Sequence, residues 1–526
     1  MHRWIMTVRR LASIALLAAC GVSRPADVVV YASGSDLESA NPLVTIHPLS
    51  RQVQRYVLFV TLTRYDSALT QEPYFARHWS WSGDRRALTV SLQPGLQWHD
   101  GTATTARDVA FTLAAARNPA TGFARASELA GLDTAIALDD TTLTLRFHVA
   151  QRDLPPLFAE LPIVPEHLLR DVPNGEMRRA GFNLAPIGNG PFRFVSRTPG
   201  QRWIFERNAS FPPAMGGPPA IRQLVVAVVD EPTTKFAGLA AGDLDFAGIA
   251  PTMAHLAERD PVVDVLDYPV LFSNALVFNV HRAPLADARV RRAIDLSIDR
   301  QRIVDAALAG YATPASGAVP DANPLSIRSS SARNPAAADS LLDAAGFRRD
   351  AAGKRAIALE MLTVGSGDNA VEQLVQADLA ERGITLSIRQ LELAAFLERA
   401  RARDKSFAML ITGIPGDLAL SYLTAMFETQ QQGGSLDYAG FHSAELDAAF
   451  VRTRLARNHA ELAAAWADAQ RILARDVPVA WLYHSRGVQG VASRMRGVRM
   501  DLRGELVTVA RWSVQAATSN RSVATR

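Results

Sequence analysis

The sequence predicts an α/β protein with two α/β domains, and its length and two repeated patterns support this prediction. An apolar strand at residues 224–229 is followed by a helical segment that ends at Gly242 and by a return to a strand at residues 243–245. The same order of strand, helix and strand recurs over residues 359–388, where Gly383 ends the helix. This order is typical of parallel sheets covered by helices. A chain of 526 residues is also too long for one hydrophobic core.

The first nineteen residues have the pattern of a targeting segment. Three arginines precede an apolar stretch at residues 11–19, which is too short to span a bilayer. The stretch ends in Leu17-Ala-Ala-Cys20, which resembles a lipoprotein signal-peptidase site, and Cys20 is the only cysteine in the chain. We therefore expect a lipoprotein signal peptide at residues 1–19 and a lipid on Cys20. The alternative is an ordinary secretory signal that happens to contain a cysteine.

The charge balance argues against a nucleic-acid partner. Removing residues 1–19 removes three arginines and no acidic residue, which lowers the formal net charge from +4 to about +1. The arginines are scattered among acidic residues along the chain, and lysine occurs only at positions 235, 354 and 405. We therefore expect no basic binding face.

Residues 88–117 form a compact sequence pattern of strand, two turns and helix. Leu88, Val90 and Leu92 alternate with polar residues, as in a half-buried strand. Two turns follow, at Pro94-Gly95 and Asp100-Gly101. Thr105 and Asp108 then have the spacing of a capping box, which predicts the start of a helix.

Three segments together resemble one known family. They are Trp98-His-Asp-Gly-Thr102, Pro186-Ile-Gly-Asn-Gly-Pro-Phe-Arg-Phe194, and residues 284–300. In this order they are similar to the extracytoplasmic solute-binding proteins of the peptide/nickel ABC transporter type, that is, the dipeptide- and oligopeptide-binding proteins of solute-binding protein family 5. The resemblance covers nearly the whole chain after Cys20.

Two local predictions accompany these segments. Gly188 and Gly190 are expected at positive φ, and a phosphate-binding loop is disfavoured there because a strand follows and no helix N-terminus is available. Residues 289, 291 and 292 are arginines on a helix, and we expect a solvated helix face with Asp287 and Asp295 as partners.

The resemblance implies a fold of the periplasmic-binding-protein type. This fold has two α/β lobes with a ligand cleft between them and a smaller additional α+β domain. The implied organisation is a lipoprotein signal peptide at 1–19, a lipidated tether at 20–26, a discontinuous lobe I at 27–60, 184–275 and 487–514, an additional domain II at 61–183, lobe III at 276–486, and a disordered tail at 515–526.

The candidate ligand-binding residues also come from the resemblance. In peptide-binding members, a tryptophan is followed three positions later by an aspartate that pairs with the ammonium group of the ligand. Here Ile414 occupies the tryptophan position and Asp417 the aspartate position. The alternative is that Asp417 caps the helix predicted at residues 418–427. The other candidate ligand contacts are Tyr31, Ser33, Ser273 and Asn274, and packing at the end of a strand is the alternative for Tyr31 and Ser33.

An enzyme is disfavoured because no catalytic motif is present. The sequence lacks a Gly-x-Ser-x-Gly elbow, a His-Glu-x-x-His motif and a Gly-Lys-Ser/Thr loop. A single cysteine excludes a cysteine-rich metal site, and the eleven histidines are dispersed. We expect no cofactor and no metal site, although a histidine could still contact a nickel chelate bound in the cleft.

The sequence therefore predicts a substrate-binding lipoprotein of an ABC importer that captures a peptide or similar small solute. The alternatives are a receptor of the same fold for a nickel chelate, sugar or haem, and a sensing module without transport. The expected partners are an ABC permease and ATPase complex and, through the lipid, a membrane. The protein is expected to be a monomer in the periplasm or on the outer face of the cell membrane.

Overall fold

The computed structural model describes residues 24–45, 47–328, 332–365, 369–402, 404–434 and 436–515. The predicted signal peptide and the predicted lipidation site Cys20 lie outside these residues, as does the predicted tail beyond residue 515. Within the described ranges, no helix is both long enough and apolar enough to cross a membrane.

The chain alternates between strands and helices throughout. The strands are β1 (Val28–Ser33), β2 (Thr63–Tyr65), β3 (Gln71–Pro73), β4 (Ala76–Trp81), β5 (Ala87–Leu92), β6 (Leu132–Ala137), β7 (Thr142–Phe147), β8 (Phe192–Thr198), β9 (Arg202–Arg207), β10 (Gln223–Val228), β11 (Phe246–Gly248), β12 (Val263–Phe278), β13 (Ala312–Pro314), β14 (Ala358–Val364), β15 (Thr385–Leu391), β16 (Met409–Pro415), β17 (Val479–Ala492), β18 (Met495–Arg496) and β19 (Ser513–Val514). The α-helices are α1 (Pro48–Val53), α2 (Ala106–Arg117), α3 (Glu166–Leu169), α4 (Pro232–Ala241), α5 (Pro251–Ala257), α6 (Ala288–Ser297), α7 (Arg300–Leu308), α8 (Pro335–Ala344), α9 (Ala370–Glu381), α10 (Leu393–Arg401), α11 (Ser421–Phe427), α12 (Ala444–Leu455) and α13 (His459–Asp476).

One eleven-stranded mixed sheet connects the two lobes. Its strands follow the order β15-β14-β16-β12-β17-β11-β1-β10-β9-β8, and β13 pairs with β17 beside this path. β1 is parallel to β10 and β11, and β14 is parallel to β15 and β16. β12 and β17 are antiparallel to each other and join the two parallel groups. The sheet therefore contains one parallel group in each α/β lobe, which confirms the predicted fold class.

Helices cover both faces of the sheet in lobe III. On one face, α11, α12 and α13 bury Phe427, Phe450 and Trp466 against β12 and β16. On the other face, α6, α7, α8 and α9 bury a stripe that includes Val290 and Ile294. Lobe III thus has the layered arrangement of a sheet between helices.

Domain II has a small sheet of its own. The strands β4, β5, β7 and β6 form a four-stranded antiparallel sheet. The predicted capping box begins α2, where the Thr105 backbone N–H donates to Asp108 Oδ2 at 2.7 Å. The hydrophobic core of this region is continuous with that of lobe I. The limits predicted for the three domains stay a prediction.

Two of the sequence segments that resemble the family contact each other. The two glycines of the second segment do not have the predicted backbone conformation. The His99 backbone N–H donates to the Gly188 carbonyl at 2.7 Å. Neither Gly188 nor Gly190 has positive φ, so that prediction is wrong. A Cβ atom at Gly188 would lie 2.0 Å from the Leu58 carbonyl oxygen, and one at Gly190 would lie 2.6 Å from the Leu58 carbonyl carbon. Close approach to the Leu58 backbone is therefore what these positions require.

The arginines of α6 are only partly solvated. Arg289 is about half exposed and pairs with Asp287 at 2.7 Å, as expected. Arg291 is buried, and its guanidinium donates to the backbone carbonyls of Leu285 at 2.8 Å and Val477 at 3.0 Å. The prediction of a solvated face is therefore wrong for Arg291, because carbonyls left free at the end of α13 and before α6 need a buried donor.

Candidate ligand site between the lobes

Strands β12 and β17 carry the chain between the lobes. They pair from Val263 opposite Ala492 to Val277 opposite Val479, and the register shifts between Pro269 and Ser273. The first part of β12 lies beside lobe I, and its second part pairs with β16 of lobe III. A paired ribbon with an irregularity at its middle is a suitable hinge, because the bulge is where the ladder is weakest.

Ser273 and Asn274 hold the two hinge strands together just after this irregularity. Ser273 Oγ and His484 Nδ1 form a buried hydrogen bond of 2.8 Å. The Asn274 side-chain amide donates to Ser485 Oγ at 3.1 Å. Both predicted ligand contacts therefore have partners within the protein.

Tyr31 and Ser33 lie at the carboxyl end of β1, in lobe I. The Ser33 hydroxyl donates to the backbone carbonyl of Ser35 at 2.6 Å. Tyr31 is buried beside Tyr268 of β12, and burial and the neighbouring Glu505 carboxyl raise its pKa. β1 thus meets the hinge at Tyr31.

Glu505 completes this polar group at the base of lobe I. Its carboxyl accepts from Gln489 Nε2 at 3.0 Å and from the Tyr268 hydroxyl at 3.4 Å. Burial raises the pKa of Glu505, which three hydrogen-bond donors only partly offset. In the described part of the chain, no cationic side chain forms an ion pair with this carboxyl.

Asp417 lies on lobe III, close to the hinge. It follows the end of β16, where Pro415 pairs with Phe272 and the Gly416 N–H donates to the Leu271 carbonyl at 2.8 Å. Its carboxylate accepts from the backbone N–H groups of Ser421 and Tyr422 at 3.0 and 3.2 Å. It also accepts from the Ser421 hydroxyl at 2.6 Å. These are capping contacts to the first turn of α11, and the predicted pairing with an ammonium stays a prediction.

A second polar group, which we call the arginine cluster, lies close enough to Asp417 for an electrostatic interaction. It consists of Arg51, Arg55, Arg125, Glu128 and Glu160. Arg125 binds Glu128 through two of its nitrogens, at 2.5 and 2.8 Å, and also contacts Glu160. Arg51 and Arg55 lie 3.4 and 3.8 Å from Glu160. Three guanidinium groups thus surround one buried carboxylate.

The electrostatics of the arginine cluster stabilise the charged form of Glu160. Burial alone would raise the pKa of Glu160, but the guanidinium groups, Arg125 foremost, outweigh burial and hold that pKa at about 2. Burial and the neighbouring Arg125 lower the pKa of Arg51 to about 10. Asp417 also acts on the charges of Arg51 and Arg125 and favours their cationic forms.

The structure places the predicted site residues at separate points of the sheet. Tyr31 meets the hinge strand that carries Ser273 and Asn274, and Asp417 lies beside the same strand. Sequence reasoning missed the arginine cluster, Glu505 and the partner of His484. No sequence signal joins them, because each contact connects distant parts of the chain.

The polar groups around the cleft do not form a metal centre. Among the residues with described coordinates, no group of three or more histidine, cysteine, aspartate or glutamate side chains is placed to hold a metal ion. The polar groups described above instead include a carboxylate, guanidinium groups and hydroxyls, which suit a polar organic ligand.

Comparison with known families agrees with this architecture. The model of the bacterial extracellular solute-binding proteins, family 5, matches residues 70–434. This chain belongs to that family. As a family 5 protein, it is an extracellular solute-binding protein with a two-lobe fold.

Curated relatives match over most of the chain of this family 5 protein. Protein XP55 of Streptomyces lividans is 29% identical over 439 residues, which cover 81% of this chain and 78% of the relative. The glutathione-binding protein GsiB of Pectobacterium atrosepticum is 26% identical over 518 residues, which cover 94% and 96%.

Solved structures share the fold. NikZ of Campylobacter jejuni, in complex with Ni(L-His), superposes with a TM-score of 0.81 at 21% identity, covering 93% of this chain and 100% of NikZ. The oligopeptide-binding protein AppA of Bacillus subtilis, in complex with a nonapeptide, superposes with a TM-score of 0.80 at 21% identity, covering 93% and 99%. Both comparisons establish the fold of this family 5 protein.

Proposed function

We propose that this family 5 protein is the substrate-binding component of an ABC importer. It captures a peptide or similar small solute between its lobes and delivers it to a permease and ATPase complex. The observation that supports the proposal is the two-lobe fold, in which the paired strands β12 and β17 carry the chain between the lobes and Asp417 follows the neighbouring strand β16. The lobes close around the ligand, and the permease recognises the closed conformation.

The names of relatives support a peptide as the solute. GsiB is a glutathione-binding protein, and a probable di/tripeptide-binding protein of Pseudomonas aeruginosa is 26% identical over 496 residues. A peptide has an ammonium group at one end, and Asp417 is the carboxylate that we assign to it. The carboxylate has about four lone-pair sites, and α11 uses three of them.

A binding role suits the site better than a catalytic one. Ser273 and His484 form the only arrangement around the hinge, among the residues described, that looks like a nucleophile and a base. Burial lowers the pKa of His484 to about 4, so it is a weak base at neutral pH. In addition, its Nε2 is buried without a hydrogen-bond partner, so no acidic residue orients the ring. We therefore assign the protein no enzymatic activity.

The proposal includes an extracytoplasmic location with a lipid on Cys20. A tether of a few residues then holds lobe I near the membrane, and the protein works as a monomer. Labelling of cells with a fatty-acid analogue tests the anchor, because Cys20→Ala removes the label while Cys20 is the only cysteine. A label that persists in Cys20→Ala would contradict lipidation at this residue.

The peptide role is tested by changing the ammonium and Asp417 together. Calorimetric titration compares tri- and tetrapeptides that have a free amino terminus with their N-acetylated forms. The protein is wild type or Asp417→Asn, and the asparagine keeps the ability to cap α11. We expect acetylation to weaken binding to wild type by at least 10-fold and to have little effect on Asp417→Asn.

Asp447→Asn is the matched control. The Asp447 carboxylate accepts from the backbone N–H and the hydroxyl of Thr429, at 2.9 and 2.6 Å, much as Asp417 accepts from Ser421. We expect this variant to bind both peptide forms as wild type does. Peptides that bind wild type equally well with and without the acetyl group would remove Asp417 from its assigned role. The absence of any peptide binding would contradict the peptide class and favour a chelate or sugar.

A further inference from the structure

The sheet of lobe I has two faces, and the polar groups near Asp417 lie on one of them. Tyr31 of β1 belongs to the hydrophobic core that includes α1, the helix that carries Arg51. Ala32, the next residue of β1, points to the opposite face and belongs to a second core that includes α5. Asp417 acts on the charge of Arg51, so we call the α1 face the cleft face and the α5 face the back face.

Tyr311 of lobe III reaches this back face. It follows α7, which packs in the core of lobe III, but its own ring packs against the α5 core of lobe I. The chain turns at Ala309 and Gly310, which both have positive φ, and the Tyr311 backbone N–H donates to the Leu308 carbonyl at 2.8 Å. β13 begins at the next residue and pairs with β17. Lobe III therefore holds Tyr311 in position from both sides.

The Tyr311 hydroxyl donates a hydrogen bond to lobe I. Its acceptor is Glu258 Oε1 at 2.8 Å, at the carboxyl end of α5. The other carboxylate oxygen lies 3.1 Å from His255 Nδ1, and the His255 ring lies 5.7 Å from the Tyr311 ring. Burial and the Glu258 carboxylate raise the pKa of Tyr311 to about 12, so the hydroxyl stays protonated and donates at neutral pH. The lobes thus contact each other outside the strands β12 and β17.

This contact lies beside the hinge. Asp267 of β12 pairs with Arg486 of β17 at 2.5 Å, just before the irregular stretch, and Asp267 is close enough to Tyr311 to act on its pKa. When a ribbon bends towards one face, groups on that face approach each other and groups on the other face separate. Further closure on the cleft face therefore lengthens or breaks the bond between Tyr311 and Glu258 on the back face.

From this arrangement we propose that the bond between Tyr311 and Glu258 restrains closure of the lobes and thereby lowers the affinity for ligand. The link to affinity rests on the proposed function, whereas the restraint itself is a property of the ligand-free protein. The Glu258 side chain is 47% exposed, so water competes for the bond. Its loss should raise the ratio of closed to open protein by about 3- to 10-fold. While the closed form is the minor one, affinity rises by the same factor.

Distances between two spin labels test the restraint without any ligand. The chain from Gly21 onward has no cysteine of its own, so labels attach only to Arg107→Cys in domain II and Arg471→Cys in lobe III. These side chains are 65% and 64% exposed, and domain II shares the core of lobe I and moves with it. We expect Tyr311→Phe to raise the population at short distances by about 3- to 10-fold.

A second variant and their combination show that the bond is responsible. Glu258→Ala removes the acceptor and should produce the same shift towards short distances. The double variant should shift no further than either single variant, because both remove the same bond. Unchanged or longer distances in both single variants would overturn the inference, and Glu258→Ala decides alone if Tyr311→Phe does not fold.

Tyr56→Phe is the matched control. The Tyr56 hydroxyl donates to the Arg503 carbonyl at 2.9 Å, and both residues contact each other on the lobe I side of the hinge. We expect this variant to keep the wild-type distances. The same shift in Tyr56→Phe and Tyr311→Phe would mean that the loss of any tyrosine hydroxyl loosens the protein, which overturns the inference.

Calorimetry with trialanine as the probe tests the link to affinity. We expect Tyr311→Phe to bind trialanine more tightly than wild type by the factor that the distances give. Shifted distances with an unchanged affinity would overturn this link. Shifted distances without any binding of trialanine to wild type would support the restraint and count against the peptide role alone.

Discussion

Ser273 Oγ lies 2.8 Å from His484 Nδ1, and this buried hydrogen bond joins β12 to β17 where the two strands pass between the lobes. The bond lies directly after the register shift of β12. The irregular part of the ribbon allows bending, and a second register shift follows between Asn274 and Ala275. The bond therefore holds the two strands together within the irregular stretch.

The first prediction concerns pH. Burial lowers the pKa of His484 to about 4, below the ordinary value of 6.5, so between these pH values the unfolded chain binds more protons than the folded protein. The contribution of His484 to stability is therefore fully present above pH 6.5 and is lost as the pH falls towards 4, by roughly 3 kcal/mol. Urea unfolding measured across this range should show a smaller decrease in His484→Asn. His78→Asn, at an exposed position on β4, should unfold with the wild-type pH dependence. Identical curves for His484→Asn and wild type would contradict the assignment.

The second prediction concerns the buried carboxylate of the arginine cluster. Glu160→Gln leaves the guanidinium groups of Arg51, Arg55 and Arg125 without their common partner, and we expect it to destabilise the protein by about 3–5 kcal/mol. Urea unfolding gives this difference. The matched control is Glu72→Gln, whose exposed pair with Arg64 is worth only about 0–1 kcal/mol. Equal losses in the two variants would show that the cluster is not tightly coupled.

The third prediction concerns the hinge. A Cβ atom at Gly487 would lie 2.2 Å from Cζ of Tyr268, which is 6% exposed and cannot move aside. Gly487→Ala should therefore cost about 1–3 kcal/mol and lower the melting temperature. Gly83→Ala has open space within 4 Å and should melt near the wild-type temperature. A wild-type melting temperature for Gly487→Ala would mean that the packing at Tyr268 is looser than described.

The fourth prediction separates the two roles of Asp417. Asp417→Ala removes the acceptor for the first turn of α11 and should destabilise the protein by about 1 kcal/mol without ligand. Asp417→Asn should lose less, because asparagine is also a good cap. Thermal unfolding of ligand-free protein measures both. A stability of Asp417→Ala equal to that of wild type would make the capping contacts energetically unimportant.

Much of the fold could be predicted because its signals are local. The helices α4 and α9 end at Gly242 and Gly383, whose φ angles are +79° and +78°, as the positions of these glycines predict. The capping box of α2 could also be predicted from spacing alone. Family resemblance added the arrangement of the lobes, which local patterns do not contain.

The candidate site was less predictable because its contacts are long-range. Arg51 and Glu160 are 109 positions apart, and the scattered arginines form no sequence pattern that predicts this contact. The helix after Asp417 begins at Ser421, after Leu420 adopts a left-handed conformation with φ of 60°. This turn brings the N–H groups of α11 onto the carboxylate, and the sequence offered no reason to expect a left-handed leucine.

Native mass spectrometry of the chain from Gly21 onward, purified without denaturation, is the measurement that tests the receptor account most directly. The account predicts an added mass that dissociates into short peptides, is lost in Asp417→Ala, and is retained in Asp447→Asn. An adduct that is a metal chelate or a sugar would contradict the peptide class, and bare protein that stays bare after incubation with a peptide mixture would contradict peptide capture altogether.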